Sequence, residues 1–264
     1  MKKMNGIFMT LTAILLFYSI TSFGQEKVEF KYLVVTTLQG NVDKEDMSMD
    51  EWKALEKEYM EKVTSKNEYV GYAGWCTHLM TADSREVLYF QTYKTWEDID
   101  KAAIRTGELE KEAWPDEKAR KDFLKEQQSY FTDFHSDEIY NRLSGAKVFT
   151  ELEKDMVMYM RTSTRAFPSD GTSKEFEALR KKVFANIINK NEYIKAYYPS
   201  EHAWGADRRD FNEAFYLDSL SDLEKMLDTS AELAKDALTK EEWKAFSKYF
   251  TGVHGDYLYT AIKL

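Results

Sequence analysis

From Val28 to Leu38 apolar and polar positions alternate, with Phe30, Tyr32 and Val34 on one face and Leu33 and Val35 on the other, which predicts a β-strand. Beyond it the period changes. Trp52, Leu55, Tyr59, Met60 and Val63 recur at helical spacing within Met47 to Lys66, which predicts an amphipathic helix. Glu68 to Leu79 and Arg85 to Tyr93 read as two further strands, separated by the turn-forming Thr81-Ala82-Asp83-Ser84. A helical stretch opens at Thr95 and breaks at Trp114-Pro115, where proline suits the first turn of a new helix running to about Tyr130. Phe131 to Leu143 reads as a closing strand.

The same order then repeats. Lys66-Asn67-Glu68-Tyr69 recurs as Lys190-Asn191-Glu192-Tyr193, an offset of 124, which also sets Trp52 on Phe176, Leu55 on Leu179 and His78 on His202. Near the end of each copy the offset is 119, so Tyr130 to Asp137 meets Tyr249 to Asp256 and His135 meets His254. The difference is an insertion in the first copy between Ile99 and Tyr130. Strands are expected again over Asp155 to Arg165, Glu192 to Trp204, Phe211 to Leu217 and Phe250 to Lys263. Helices are expected over Ser173 to Lys190, from Leu220, and after the capping box Thr239-Lys240-Glu241-Glu242.

The order β-α-β-β-α-β, twice, is the split βαβ or ferredoxin-like unit. With the duplication and the aromatic, histidine-bearing last strand Phe131-Thr132-Asp133-Phe134-His135-Ser136-Asp137, the chain resembles the dimeric α/β-barrel superfamily, as a tandem fusion. The expected fold is α+β: two ferredoxin-like units, residues 25–146 and 147–264, packed as a pseudo-twofold barrel with antiparallel sheets. The resemblance implies sheets facing one another around a central cavity. It also implies a range of activities, from cofactor-free monooxygenases and haem-handling proteins to isomerases and stress proteins, so fold does not fix function. A physical reason for pairing stands beside it. A four-stranded sheet with helices on one face leaves its other face apolar, and a second copy covers it.

The N-terminus stands apart from this pattern. Lys2 and Lys3 precede an apolar stretch from Ile7 to Ile20, followed by Ser22-Phe23-Gly24 with small residues at −3 and −1 of a cut before Gln25. Residues 1–24 therefore read as a secretory signal, and the mature protein as exported, periplasmic or extracellular, without a stable membrane anchor. The whole chain has 264 residues, 43% hydrophobic and 15% aromatic, with a single cysteine, Cys76, which excludes disulfide-framework and low-complexity classes. Its formal charge of −9 becomes −11 once the two lysines of the signal are gone, with no cluster of basic residues free of acids, so nucleic acid is not an expected partner.

Chemistry is sparse. No G-x-G-x-x-G, P-loop, H-E-x-x-H, C-x-x-C or G-x-S-x-G pattern occurs, and no cofactor is expected. All four histidines fall on equivalent positions of the repeat. His135 and Asp137, like His254 and Asp256, lie two apart on a strand and so share a face, where the carboxylate can orient the imidazole as a general base. These four are the candidate catalytic residues. His78, His202, Tyr72, Tyr198, Trp75 and Trp204 are the candidate walls of a cavity for a small apolar or aromatic ligand. A facial triad for a metal would need His78 brought across to His254 and Asp256, because within one unit the usual 4-1-3-2 sheet order separates His78 from His135 by about 14 Å. No metal is assigned. Three functions stay open: a small-molecule-binding protein, a cofactor-free monooxygenase-like enzyme using the His–Asp pairs, and a structural protein whose barrel is filled by its aromatics. Histidines facing outward between sheet and helices would remove the proposed cavity site.

Overall fold

The computed structural model describes residues 29–46, 48–148 and 152–264, so the export signal read in residues 1–24 lies outside the described residues. The first copy runs β1 (Tyr32–Gly40), α1 (Met49–Lys62), β2 (Ala73–Met80), β3 (Glu86–Tyr93), α2 (Trp96–Ala113), α3 (Glu117–Gln128) and β4 (Phe131–Arg142). The second runs β5 (Met156–Arg165), α4 (Ser173–Val183), β6 (Ala196–Trp204), β7 (Asp210–Leu217), α5 (Ser221–Ala234), α6 (Lys240–Ser247) and β8 (Phe250–Ile262). None of the helices among the described residues is long and apolar enough to cross a membrane.

Helix starts follow side-chain capping of the free N–H groups. Ser48, Asp116 and Thr172 accept from the backbone three residues on, and Thr95 with Asp98 and Thr239 with Glu242 form reciprocal capping boxes. Asp116 as cap leaves Pro115 just outside α3 rather than in its first turn. β2 and β6 begin later than the alternation suggests, because the repeated Lys-Asn-Glu-Tyr segment is spent on a turn. Asn67, 3% exposed, donates from Nδ2 to Ala102 O at 2.9 Å and Thr106 Oγ1 at 3.0 Å on α2, and accepts from the Tyr69 N–H. Asn191, fully buried, makes the same three bonds to Met226, Ser230 and Tyr193. Each asparagine anchors the helix after β3 or β7 to the turn before β2 or β6.

The strands close into a barrel in the order β1-β3-β2-β8-β5-β7-β6-β4, antiparallel throughout. Each half has the 4-1-3-2 order, and the halves meet at two cross-copy seams, β2 with β8 and β4 with β6. Tyr32 pairs with Tyr93 and Val157 with Leu217, so β1 matches β5 at an offset of 125, one residue off the helices that follow.

Alternation sends one set of side chains inward and the other under the helices. Cys76, Leu88, Met156, Met158, Tyr216 and Tyr259 form an inward cluster drawn from both halves, with Val35, Phe90 and Tyr198 packed against it. Phe90 lies so close over Gly74 that a Cβ there would stand 2.6 Å from the ring. The space between the sheets is thus packed with side chains, where the sequence pointed to a central cavity. Outward residues form separate layers with the helices, around Trp52, Trp75 and Tyr130 in the first unit and around Tyr159, Ile187, Tyr197 and Phe215 in the second.

Candidate functional site

The His–Asp pairs form as their spacing requires, but on the outer side of the barrel. His135 Nε2 lies 3.4 Å from Asp137 Oδ2, and His254 Nε2 lies 3.3 Å from Asp256 Oδ2, with all four side chains about half exposed. They share their strand faces with Ile139 and Leu258, which pack into the helix layers. Their carboxylates are committed elsewhere: Asp137 accepts from Thr36 Oγ1 at 2.5 Å, and Asp256 accepts from Tyr159 OH at 2.6 Å and Arg161 Nε at 2.8 Å. Neither pair faces the space between the sheets, so the general-base arrangement expected of them in a central cavity is not assembled; Asp256 instead borders an outer hollow against α5.

The other candidates scatter. His78 lies inward at the end of β2, where Nδ1 accepts from the Thr81 N–H at 3.2 Å and meets Thr81 Oγ1 at 2.8 Å, tying the turn to β3. Register places it opposite Tyr259, so His254 is five residues and about 17 Å along β8, on the other face. The cross-copy metal triad is therefore not assembled, and among the described residues no group of three His, Cys, Asp or Glu side chains is placed to hold a metal. His202 pairs with Tyr140 across the other seam. Tyr198 packs inside the barrel edge-on to Tyr216, while Tyr72 and Trp204 are 57% and 69% exposed, too open to wall a cavity. Cys76 is fully buried, and burial pushes its thiol up to about 12, so it is inert.

Trp75 is the exception. It faces outward from β2, stacks on Tyr89 with ring centroids 4.3 Å apart and lies parallel to Phe131 at 5.7 Å. These three rings and Leu38 form the sheet wall of a cleft of about 210 Å³ beneath α1 and α3. Tyr59, Met60 and Thr64 bring the opposite wall, and Gln127 and Gln128 close it from the end of α3. Among the described residues the only charged side chain lining it is Glu56, which sits on the apolar stripe of α1, four residues after Trp52, and is 2% exposed. Gln127 Nε2 donates to Glu56 Oε2 at 3.0 Å. Glu56 Oε1 and the nearby Trp52 Nε1 are both buried without a hydrogen-bond partner. Burial raises the Glu56 carboxyl to about 7, with Gln127 and Trp52 pulling it back only in part. Burial first, and the bond to Glu110 second, hold Tyr59 far above the ordinary phenol range, and burial does the same for Tyr89.

The sequence singles out Trp75 as a wall of the space between the sheets, whereas the residue lines this outer cleft instead, and the sequence does not single out Glu56, Tyr59, Tyr89, Phe131 or Gln127. A signal for Glu56 existed, since an acid at a core-facing position of an amphipathic helix has to be accounted for.

The second unit does not repeat the cleft. By the same offsets Glu56 becomes Arg180, Gln127 becomes Phe246 and Phe131 becomes Phe250. Phe246 stacks on Phe176 at 5.8 Å and meets Phe250 at 5.4 Å, while the Arg165 guanidinium caps Phe176 at 3.8 Å. Rings thus occupy the space where the first unit keeps its carboxyl and amide. A separate hollow of about 240 Å³ runs between β8 and the α5 residues Leu223 and Leu227, but its charges, Arg161 and Asp256, already neutralise each other.

No protein-family model matches the sequence, and no curated protein matches it. Solved structures do match in shape. A candidate monooxygenase from Fusobacterium nucleatum superposes with a TM-score of 0.56 at 12% identity, over 89% of this chain and 94% of that one. A candidate monooxygenase from Lactobacillus acidophilus gives 0.55 at 6% identity, over 88% and 94%. A mutant chlorite dismutase from Candidatus Nitrospira defluvii gives 0.50 at 12% identity, over 89% and 92%. Identity this low speaks for fold alone. With its closed eight-stranded antiparallel sheet and outer helices, the chain has the dimeric α/β-barrel fold, both halves of the barrel supplied by one polypeptide.

Proposed function

We propose that the protein binds a small, partly aromatic molecule of about one ring in the cleft between the first unit's sheet and its helices α1 and α3. The observation that carries this reading is Glu56: a 2%-exposed carboxyl with one oxygen unpartnered, at the wall of an aromatic-lined hollow. A buried acceptor without a donor costs roughly 1–3 kcal/mol, and a ligand donor recovers it. Size sets the occupant. An apolar cavity of about 150 Å³ takes benzene, so about 210 Å³ suits one substituted ring and excludes a tetrapyrrole. Tryptophan fluorescence, to which Trp75 in the cleft wall and Trp52 beside it contribute among six tryptophans, should change on titration with single-ring ligands. Met60→Trp, which fills the cleft, should abolish that change; binding that survives it would place the ligand elsewhere.

A second reading is a monooxygenase-like enzyme in which Glu56, rather than a His–Asp pair, takes the proton from a phenolic or enolic substrate. It draws on the carboxyl titrating at about 7, where a general base works near neutral pH. Oxygen consumption with a panel of phenols, lost in Glu56→Gln, would favour it; none across the panel would leave a binding protein. We also propose export through residues 1–24, and N-terminal sequencing of the mature protein should begin at Gln25.

A further inference from the structure

We propose that the occupant of this cleft is an organic ammonium, a protonated amine borne on a single ring, with Glu56 as its counter-charge; the inference rests on the cleft being a binding site. Three observations converge on a cation. Among the described residues the charge lining the cleft is solely negative, with no lysine, arginine or histidine to pair it. Across the cleft from α1 stands an aromatic wall, Trp75 with Tyr89 and Phe131 stacked against it, while the Met60 thioether lies one turn along α1 on the carboxyl's own side, and a cation placed over an aromatic face is attracted through its quadrupole. Glu56 Oε1 closes no hydrogen bond, the nearby Trp52 Nε1 standing outside bonding geometry, and an ammonium brings donors and charge together, whereas a neutral hydroxyl leaves the carboxylate's desolvated charge unopposed.

The second unit supplies an internal contrast. At the position of Glu56 it carries Arg180, 4% exposed, with Phe246 in place of Gln127, so a cation there meets like charge and filled space. Recognition belongs to one half of the duplicated fold, with one site per chain.

Binding of a cation is coupled to protons. The titratable groups facing Glu56 are Tyr59 on its own helix and Tyr89 on β3, both protonated through neutral pH, with Glu110 of α2 beyond the Tyr59 hydroxyl. Gln127 of α3 is uncharged, so Glu56 is the group that releases a proton as the ammonium enters.

Calorimetric titration of the full mature chain tests this with benzylamine and its neutral isostere benzyl alcohol, at pH 6 and pH 8, in two buffers of different ionisation heat. Benzylamine should bind with one equivalent per chain and at least about tenfold more tightly than benzyl alcohol. Its affinity should rise by about tenfold from pH 6 to pH 8, with a proton released at pH 6. Glu56→Gln should erase the preference for the amine while keeping the affinity for benzyl alcohol, which also shows that the variant is folded. Equal or tighter binding of benzyl alcohol, or a preference for benzylamine that survives Glu56→Gln, overturns the ammonium and leaves the cleft as a neutral site. If neither ligand binds, the binding reading itself fails.

Discussion

Glu56 is a buried carboxyl in the first unit's outer layer, and its ionisation is coupled to folding. Its folded-state value of about 7 lies above the ordinary glutamate value of 4.5, so the native state holds a proton that the unfolded chain has lost between those two values. Glu56 therefore costs nothing below the unfolded value, and its penalty grows as pH rises through the folded one, reaching on the order of 3 kcal/mol. Chemical denaturation from pH 4 to pH 8 should show stability falling over that window. Glu56→Gln should flatten the fall and be the more stable protein at pH 8; an unaltered slope would mean that the carboxyl is solvated. Asn67 and Asn191 carry a different load, each satisfying buried groups on two elements. Asn67→Ala and Asn191→Ala should each cost about 1–3 kcal/mol, measured as a shift in denaturation midpoint. The repeat marked both positions in the sequence, yet their role was hidden, because a buried asparagine and a surface turn asparagine look alike until their partners are known.

At the scale of elements, most boundaries were legible. Periodicity and caps located every strand and helix, and the departures have local causes: a turn built on Asn67 shortens β2, and Asp116 takes the cap that Pro115 precedes. Alternation also put His135 with Asp137 and His254 with Asp256 correctly on shared faces. It could not say which face, because inward and outward are fixed by the neighbouring strands and helices rather than by a strand's own pattern. The two pairs lie on an open stretch of strand, and the double variant His135→Ala, His254→Ala should change stability by less than about 0.5 kcal/mol and leave ligand affinity unaltered. A loss of affinity in that variant would return the pairs to the site. The Glu56 cleft was illegible for a related reason: it joins α1, α3 and four strands, and no local window contains it.

The whole molecule is a barrel that neither half can close. Each unit leaves β2 or β6 at one edge and β4 or β8 at the other, and the seams β2–β8 and β4–β6 pair them across the copies. Residues 25–146 produced alone should therefore run as a dimer or larger species in size-exclusion chromatography, since an unpaired edge and a bare apolar sheet face both seek a partner. A stable monomer would contradict the part assigned to the seams. Fusion has also let the halves diverge, one outer layer keeping a carboxyl beside a hollow and the other filled with phenylalanine. The aromatic richness of the sequence accordingly serves two ends, packing in the second unit and the walls of a cleft in the first.

The most direct test of that division is a crystal structure of the mature chain with benzylamine. The account predicts one ring per chain, lying between Trp75 and Met60 with its nitrogen at hydrogen-bond distance from Glu56 Oε1. A ring bound inside the barrel, beside either His–Asp pair, or in the outer layer of the second unit would contradict it.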